Sequence, residues 1–353
     1  MQDNAQTTLS FFELREQPFA ATADPAYFFA TRAHRECLFR LWNCIDERFG
    51  IAVILGNYGT GKTTLLRKIL SNMREAPDKY LTAVVGSPAP SWTTFNLLED
   101  IVGKFDLHPE ERSYNAYMDG LNQFLVDNRD TVNTLVIDDA QNLNKRGQLE
   151  LLRLIQNLET PQHKLLNVIC FAQLEWQHIL RGAPNFLQRI SLSYTLEPIG
   201  VDEVRALIEY RLREAGSGPR GPVFDDGAIR SIYAYSGGSP RMIVTLCRNA
   251  LVVAAQMRSR QIGQAIMLHT IQQTTLPDAE GEARLTETLA PQSRRTTSPK
   301  PPTQEPSAPP TSVESAPSNA DEPLPTTLRA RANELLLKAA RSQKKTWKPP
   351  SDK

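Results

Sequence analysis

The sequence predicts an α/β domain built on a parallel sheet, followed by a small helical domain and then a segment without regular structure. Short apolar runs alternate with longer helical stretches from residue 51 to residue 196, and the strand candidates stop at Pro198. Such runs are typical of parallel strands covered by helices on both faces. Ten of the 25 prolines lie between residues 291 and 325. Little apolar surface is available there to offset the entropy of ordering the chain, so we expect disorder.

Five apolar runs are strand candidates, and helical periodicity dominates after them. The runs cover residues 51–55, 81–86, 134–138, 165–171 and 191–196. Beyond residue 200 the apolar side chains recur at helical spacing. The predicted divisions are an N-terminal aromatic segment and helix (1–48), the α/β domain (49–198), the helical domain (199–280), a proline-rich linker (281–327) and a basic tail with a short helix (328–353).

Composition and charge limit the class of protein. Cysteines stand at positions 37, 44, 170 and 247 without metal-ligand spacing, which predicts buried thiols in a reducing compartment. No run approaches 18 apolar residues, so we expect a cytoplasmic protein without a membrane span. The net charge of +1 hides a tail with eight basic and two acidic residues. The remainder of the chain is accordingly acidic.

A glycine-rich motif predicts a phosphate site. Residues 56–63 read G-N-Y-G-T-G-K-T, which matches G-x-x-x-x-G-K-[ST] between a strand and a helix. Such a loop turns backbone N–H groups toward phosphate oxygens at a helix N-terminus. Lys62 would reach the β- and γ-phosphates of ATP, and the Thr63 hydroxyl would ligate Mg²⁺. The predicted nucleotide-binding residues of this loop are Gly56, Asn57, Tyr58, Gly59, Thr60, Gly61, Lys62, Thr63 and Thr64.

Two carboxylates end the third strand candidate. Asp138 is placed to hold Mg²⁺ through water, and Asp139 to orient and deprotonate the attacking water. Taken alone, paired acids at a strand end are most often a solvated turn, but with the loop they indicate nucleotide hydrolysis. Since one strand separates the two motifs, we expect the Asp138 strand to lie beside the strand that ends at Gly56.

The stretch I-D-D-A-Q-N-L at residues 137–143, with residues 151–159 after it, resembles the ATPase core of the ExeA/GspA family of AAA+ proteins. Residues 11–19, 24–29, 188–190, 196–198 and 237–241 agree with the same family, so the likeness covers roughly residues 10 to 258. This resemblance implies an AAA+ fold with a helical lid. It also implies nucleotide held between subunits, and assembly of a homo-oligomer as a ring or filament.

The resemblance also implies roles for three residues. Gln173 corresponds to the first sensor, whose amide would help to place the water, and Arg241 to the second sensor, which would reach the γ-phosphate. Arg189 corresponds to the arginine finger offered to a neighbouring subunit, with Arg181 as the competing candidate. An arginine fork suits phosphate oxygens, and its closure would couple nucleotide state to the position of the lid.

The chain departs from the family at the water-activating position. The family usually has Asp-Glu where this sequence has Asp138 and Asp139, which sets the carboxylate back by about 1.5 Å. Because a misplacement of about 1 Å can cost on the order of a hundredfold in rate, we expect slow turnover, closer to a timed switch than a motor.

Three functions stay open at this point. The first is an ATP-switched accessory of an envelope machine for secretion, pilus or exopolysaccharide export, which acts from the cytoplasm through a membrane partner. The second is a regulator like the TnsC/TniB/MuB transposition ATPases, which assembles on double-stranded DNA with ATP and recruits a transposase. The third is a nucleotide-binding signalling scaffold whose hydrolysis is incidental.

Two aromatic-containing segments have alternative interpretations. The tail places Trp347 among lysines, which is typical of nucleic-acid binders, but a basic helix on a tether also suits docking on a partner protein, and such ends are often idle. The aromatics between residues 11 and 29 predict either a wall against adenine or a hydrophobic clasp on the domain.

Overall fold

The computed structural model describes residues 8–20, 22, 27–218, 222–274 and 278–289. The predicted basic tail and most of the predicted linker lie outside these ranges. The strands are β1 (Ile51–Gly56), β2 (Tyr80–Val85), β3 (Val132–Ile137), β4 (Asn167–Ala172) and β5 (Ile190–Leu196). The helices are α1 (Arg32–Asp46), α2 (Lys62–Arg74), α3 (Thr94–Lys104), α4 (Tyr114–Asp127), α5 (Arg146–Gln156), α6 (Trp176–Arg181), α7 (Pro184–Leu187), α8 (Val201–Glu214), α9 (Asp226–Ser236), α10 (Pro240–Gln256), α11 (Gln264–Thr274) and α12 (Ala279–Leu289).

The five predicted strands form one parallel sheet, which confirms the predicted fold class. Their order is β2-β3-β4-β1-β5. The expected pairing of β3 with β1 is wrong, because β4 lies between them, with Ile137 opposite Cys170 and Ile51 opposite Val168. Every residue of β4 is buried, as an inner strand requires, whereas β2 is partly exposed and forms one edge of the sheet.

Helices cover both faces of the sheet. The side chains of β1 alternate, so that Val53 and Leu55 pack with α3, α4 and α5 on one face. Ala52 and Ile54 pack with α1 and α2 on the other. The domain is therefore a three-layer sandwich, in which all the strands end at the same edge.

The helical lid has its own core, and the N-terminal aromatics belong to it. The lid core joins α8, α9, α10 and α11. Phe12, Phe19 and Tyr27 are buried in the same cluster, which favours the clasp interpretation for these three aromatics. Helix α1, from the same predicted N-terminal division, packs instead on the sheet.

Helix α12 contacts the end of α9 and extends beyond the predicted end of the lid at residue 280. Arg284 donates hydrogen bonds to the carbonyls of Ala234 (3.4 Å) and Tyr235 (3.2 Å), in the last turn of α9. Leu285 packs against the lid core. These contacts, which periodicity did not reveal, keep residues 281–289 helical. Within the described ranges, no helix is long and apolar enough to span a membrane.

A two-glycine turn connects the lid to the sheet. Gly237 and Gly238 have φ angles of +56° and +76°, a region that L residues rarely adopt. The carbonyl of Gly238 accepts a hydrogen bond of 2.9 Å from the N–H of Ile199, which lies between β5 and α8. A Cβ atom at residue 238 would lie 2.2 Å from the Ile199 carbonyl oxygen. Only glycine fits this close approach of two backbones.

We expect Gly238→Ala to lower the free energy of unfolding by about 2 kcal/mol, through the backbone clash and the unfavourable φ. Urea denaturation measures the effect. Gly103→Ala is the matched control, because a Cβ there meets no atom within 4 Å and the site lies inside α3. The control should stabilise by up to about 1 kcal/mol. Equal midpoints for Gly238→Ala and the wild type would contradict the close approach.

Candidate nucleotide-binding site

The loop between β1 and α2 has the conformation that a phosphate cradle requires. Gly59 and Gly61 adopt φ angles of +81° and +97°. Gly61 is the N-cap of α2 and provides no side chain to cap the helix, so its first N–H groups face the loop. Thr60 donates its hydroxyl to the Asn57 carbonyl at 2.9 Å, which closes the turn. Such a helix start favours anions.

Lys62 lies inside the loop that it is predicted to serve. Its Nζ donates to the carbonyls of Gly56 (2.7 Å) and Asn57 (3.0 Å). Burial lowers the pKa of Lys62, although Asp138, Asp139 and Glu175 act in the opposite direction. The ammonium is thus held by two carbonyls of the loop itself. Thr64 is half-buried in the first turn of α2.

Thr63 and Asp138 form a pair of oxygen donors beside the loop. The Thr63 Oγ1 donates a hydrogen bond of 3.2 Å to Oδ2 of Asp138. Burial raises the pKa of Asp138 above its usual range, and the Thr63 bond and Lys62 partly offset that effect. A hydroxyl and a carboxylate are the hard ligands that Mg²⁺ prefers, and Mg²⁺ sites usually complete their shell with water and phosphate oxygens. The residues present therefore fit Mg²⁺.

Asp139 is held by two side chains that the motif search did not single out. Ser87 donates to its Oδ2 at 3.3 Å, and the Gln141 amide donates to its Oδ1 at 3.0 Å. The Gln141 carbonyl accepts a bond of 3.1 Å from the backbone N–H of Gln173. Ser87 follows the end of β2 and Gln141 follows the end of β3, and these two strands are neighbours. The strand pairing that brings Ser87 to Asp139 is not visible in the sequence.

The lid reaches the loop through Arg241, in the first turn of α10. The backbone N–H of Arg241 donates to the Gly59 carbonyl at 3.2 Å. The guanidinium of the same residue lies 4.6 Å from the centre of the Tyr58 ring. Tyr58 is 67% exposed, so the two side chains meet at the surface of the site. This cation–π contact orients Arg241 toward the loop.

The two candidate arginine fingers lie elsewhere. Arg189 is exposed and directly precedes β5. It therefore lies at the N-terminal end of a strand, whereas the loop follows the C-terminal end of β1. A strand of this length spans about 20 Å, so Arg189 does not reach the loop of its own chain. Arg181 is the exposed last residue of α6.

Comparison with known proteins identifies the domain that contains this loop. Residues 45–180 match the family described as AAA domain. The chain is 33% identical over 257 residues to General secretion pathway protein A of Aeromonas hydrophila, a match that covers 71% of the chain and 46% of that protein. The chain thus contains an AAA domain and is similar to GspA. It spans about half the length of its curated relative.

Solved structures support the same AAA+ fold. The ORC2 protein of Aeropyrum pernix, in ADPNP–ADP complexes, superposes with a TM-score of 0.52 and 18% identity over 70% of each chain. The Drosophila ORC bound to DNA gives 0.52 and 16% identity over 76% of this chain and 65% of the other. At these identities the likeness concerns the fold alone, which confirms the predicted sheet and helical lid of this AAA+ protein.

The His34 side chain contacts the phosphate loop at Thr60, a contact that the sequence did not reveal. Its Nε2 lies 3.3 Å from the Thr60 carbonyl and its Nδ1 lies 2.9 Å from the Thr31 hydroxyl. Because a carbonyl only accepts, Nε2 carries the proton and Nδ1 accepts from Thr31. The ring is 5% exposed, and its centre lies 5.4 Å from that of Phe28 in a tilted arrangement. Burial lowers the pKa of His34, despite the opposing effects of Thr60 and Glu203.

We expect the stability of this AAA+ protein to decrease below pH 6.5 in a manner that depends on His34. A pKa lower in the folded than in the unfolded state gives a contribution that is present above the unfolded value of 6.5 and is lost as the pH falls. The slope is at most about 1.4 kcal/mol per pH unit. Urea denaturation between pH 5 and pH 7.5 should show a shallower dependence for His34→Gln. Parallel curves for the two proteins would refute this role.

Proposed function

We propose that the chain binds and slowly hydrolyses ATP, and that the nucleotide state switches its self-assembly in the service of an envelope secretion machine. The carrying observation is the convergence of the phosphate loop, Thr63, Asp138 and Asp139 at one sheet edge, in a chain 33% identical to a general secretion pathway protein. We place its action in the cytoplasm, through a membrane partner.

Binding begins with the loop and Lys62. The N–H groups at the start of α2 would donate hydrogen bonds to the phosphate oxygens, and Lys62 would leave the carbonyls of Gly56 and Asn57 to bind the β- and γ-phosphates. Thr63 and Asp138 would hold Mg²⁺. When bound, the ion neutralises charge on the phosphate oxygens.

Asp139 then orients the attacking water and accepts its proton, with the Gln173 amide as a second contact to the water. The Asp139 side chain is shorter than that of glutamate by one C–C bond, about 1.5 Å. A water held at the longer distance is further from in-line attack, and the rate falls accordingly. Slow hydrolysis makes the ATP-bound state long-lived, as a switch requires.

A second copy of the chain would complete the site. Arg189 lies about 20 Å from its own loop, at the opposite edge of the sheet, and is exposed. As a finger it would stabilise negative charge on the transferring phosphate of a neighbour. Arg241 would leave Tyr58 for the γ-phosphate and return after phosphate loss. The Gly59 contact would then carry the change to the lid.

Double-stranded DNA is the second candidate partner, favoured by the basic tail at residues 328–353. Sedimentation of the full chain with ATP, with and without duplex DNA at two salt concentrations, separates the two functions. Assembly that is indifferent to DNA supports the secretion function. Assembly that requires DNA and weakens steeply with salt supports the transposition-type regulator.

We expect Arg189→Ala to retain ATP affinity and to lose hydrolysis by about a thousandfold or more, because a finger acts on the transition state of a neighbouring site. Lys62→Ala should abolish binding itself. Fluorescent-nucleotide titration and phosphate release measure the two effects. Arg181→Ala is the matched control, since it removes the competing exposed arginine. If Arg189→Ala hydrolyses ATP at the wild-type rate, Arg189 is not the arginine finger.

We expect Asp139→Glu to accelerate hydrolysis by on the order of ten- to a hundredfold, because the longer side chain brings the carboxylate toward the water. Single-turnover phosphate release is the measurement, with ATP affinity as the control for an intact site. An unchanged or reduced rate would show that the length of this side chain is not what limits turnover.

A further inference from the structure

We propose that Gln141 is a positioning residue, which aims the carboxylate of Asp139 and couples it to the end of β4. The proposal rests on the proposed ATP hydrolysis. The Gln141 amide nitrogen donates to Oδ1 of Asp139 at 3.0 Å, and its oxygen accepts from the Gln173 N–H at 3.1 Å. One side chain thus joins the predicted water-activating group to the predicted sensor position.

The backbone at Asp139 explains why such support is needed. Asp139 has φ +51° and ψ +38°, in the left-handed region. A non-glycine residue in this region is strained, and it persists where its surroundings hold it. Its N–H donates to the Asp138 side chain at 3.0 Å, and its carbonyl accepts from Asn142 at 3.0 Å. These bonds hold the backbone, whereas Ser87 and Gln141 hold the carboxylate.

The chemistry of the two partners determines the orientation of the amide. A carboxylate only accepts hydrogen bonds and a backbone N–H only donates them, so the Gln141 nitrogen faces Asp139 and its oxygen faces Gln173. A glutamate would lack the donor, and a methionine would lack both groups. Asparagine is one methylene shorter and would not span the same gap. Glutamine is therefore the side chain whose length and polarity match both contacts.

The turn that carries Gln141 is anchored at its other end. The indole N–H of Trp176, a fully buried residue at the start of α6, donates to the Leu143 carbonyl at 3.2 Å. Leu143 is buried in the core of the same sheet face. The turn at Ala140–Asn142 is thus attached both to β3 and to the segment after β4. Asp139 and Gln173 are thus linked through the side chain of Gln141.

The test compares Gln141→Met and Gln141→Glu with the wild type in the full 353-residue chain. Methionine keeps the length but makes neither hydrogen bond. Asn144→Ala is the matched control, since Asn144 is exposed on the same segment. For each protein, single-turnover hydrolysis, the Kd of a fluorescent ATP analogue and the thermal midpoint are measured. For Gln141→Met we expect hydrolysis ten- to a hundredfold slower, with a Kd within twofold of the wild type.

Gln141→Glu separates the two hydrogen bonds of Gln141. Glutamate keeps an oxygen that can accept from the Gln173 N–H but offers no donor to Asp139. We therefore expect hydrolysis to slow as in Gln141→Met, again without a matching loss of ATP affinity.

The outcomes are distinguishable. If the wild type hydrolyses ATP and Gln141→Met does so at the same rate, the role of Gln141 is overturned and the proposed function stays intact. A rate loss matched by an equal loss of ATP affinity or by a lower thermal midpoint in both variants also overturns it, in favour of a structural role. A wild-type chain that binds ATP without hydrolysing it overturns the proposed function and this inference together.

Discussion

The parallel register of the sheet is the constraint on which the site depends. Because β1, β3 and β4 run in the same direction and pair without gaps, Gly56, Asp138 and Gln173 emerge at one edge. Side chains from three distant parts of the chain can then form hydrogen bonds with each other, as Thr63 does with Asp138. A shift of one residue in the register would turn these groups toward opposite faces. The buried apolar strands, through their packing on both faces, are what prevent such a shift.

The lid contacts the α/β domain at the loop between β1 and α2. The Gly237–Gly238 turn lies against Ile199, and Arg241 follows at once with its backbone bond to Gly59. The glycines allow two backbones to approach more closely than side chains permit. The guanidinium of Arg241 lies over the exposed ring of Tyr58 in the same loop. Lid and loop are therefore joined by a backbone hydrogen bond and a cation–π contact.

Much of the fold was predictable because its signals are local. The five strands are continuous apolar runs, the loop motif occupies consecutive positions, and both are visible in a window of a few residues. The order of the strands was not predictable in the same way, since β1, β3 and β4 are all fully buried runs and only the tertiary structure places β4 beside β1. Helix α12 was missed because it depends on contacts of Arg284 with α9 and of Leu285 with the lid core. Such contacts are not visible in a short window of sequence.

The sequence by itself determined the chemistry of the site. Lys62, Thr63, Asp138 and Asp139 are predicted as phosphate, metal and water ligands by residue type and spacing alone, and the short Asp139 is visible in the letters. Only the tertiary structure decided which groups support them. Ser87, Gln141 and His34 come from separate segments, and their roles exist only where folding brings a donor within about 3 Å of an acceptor. A hydrogen bond depends on distance and direction in space, and neither is written in the order of residues along the chain.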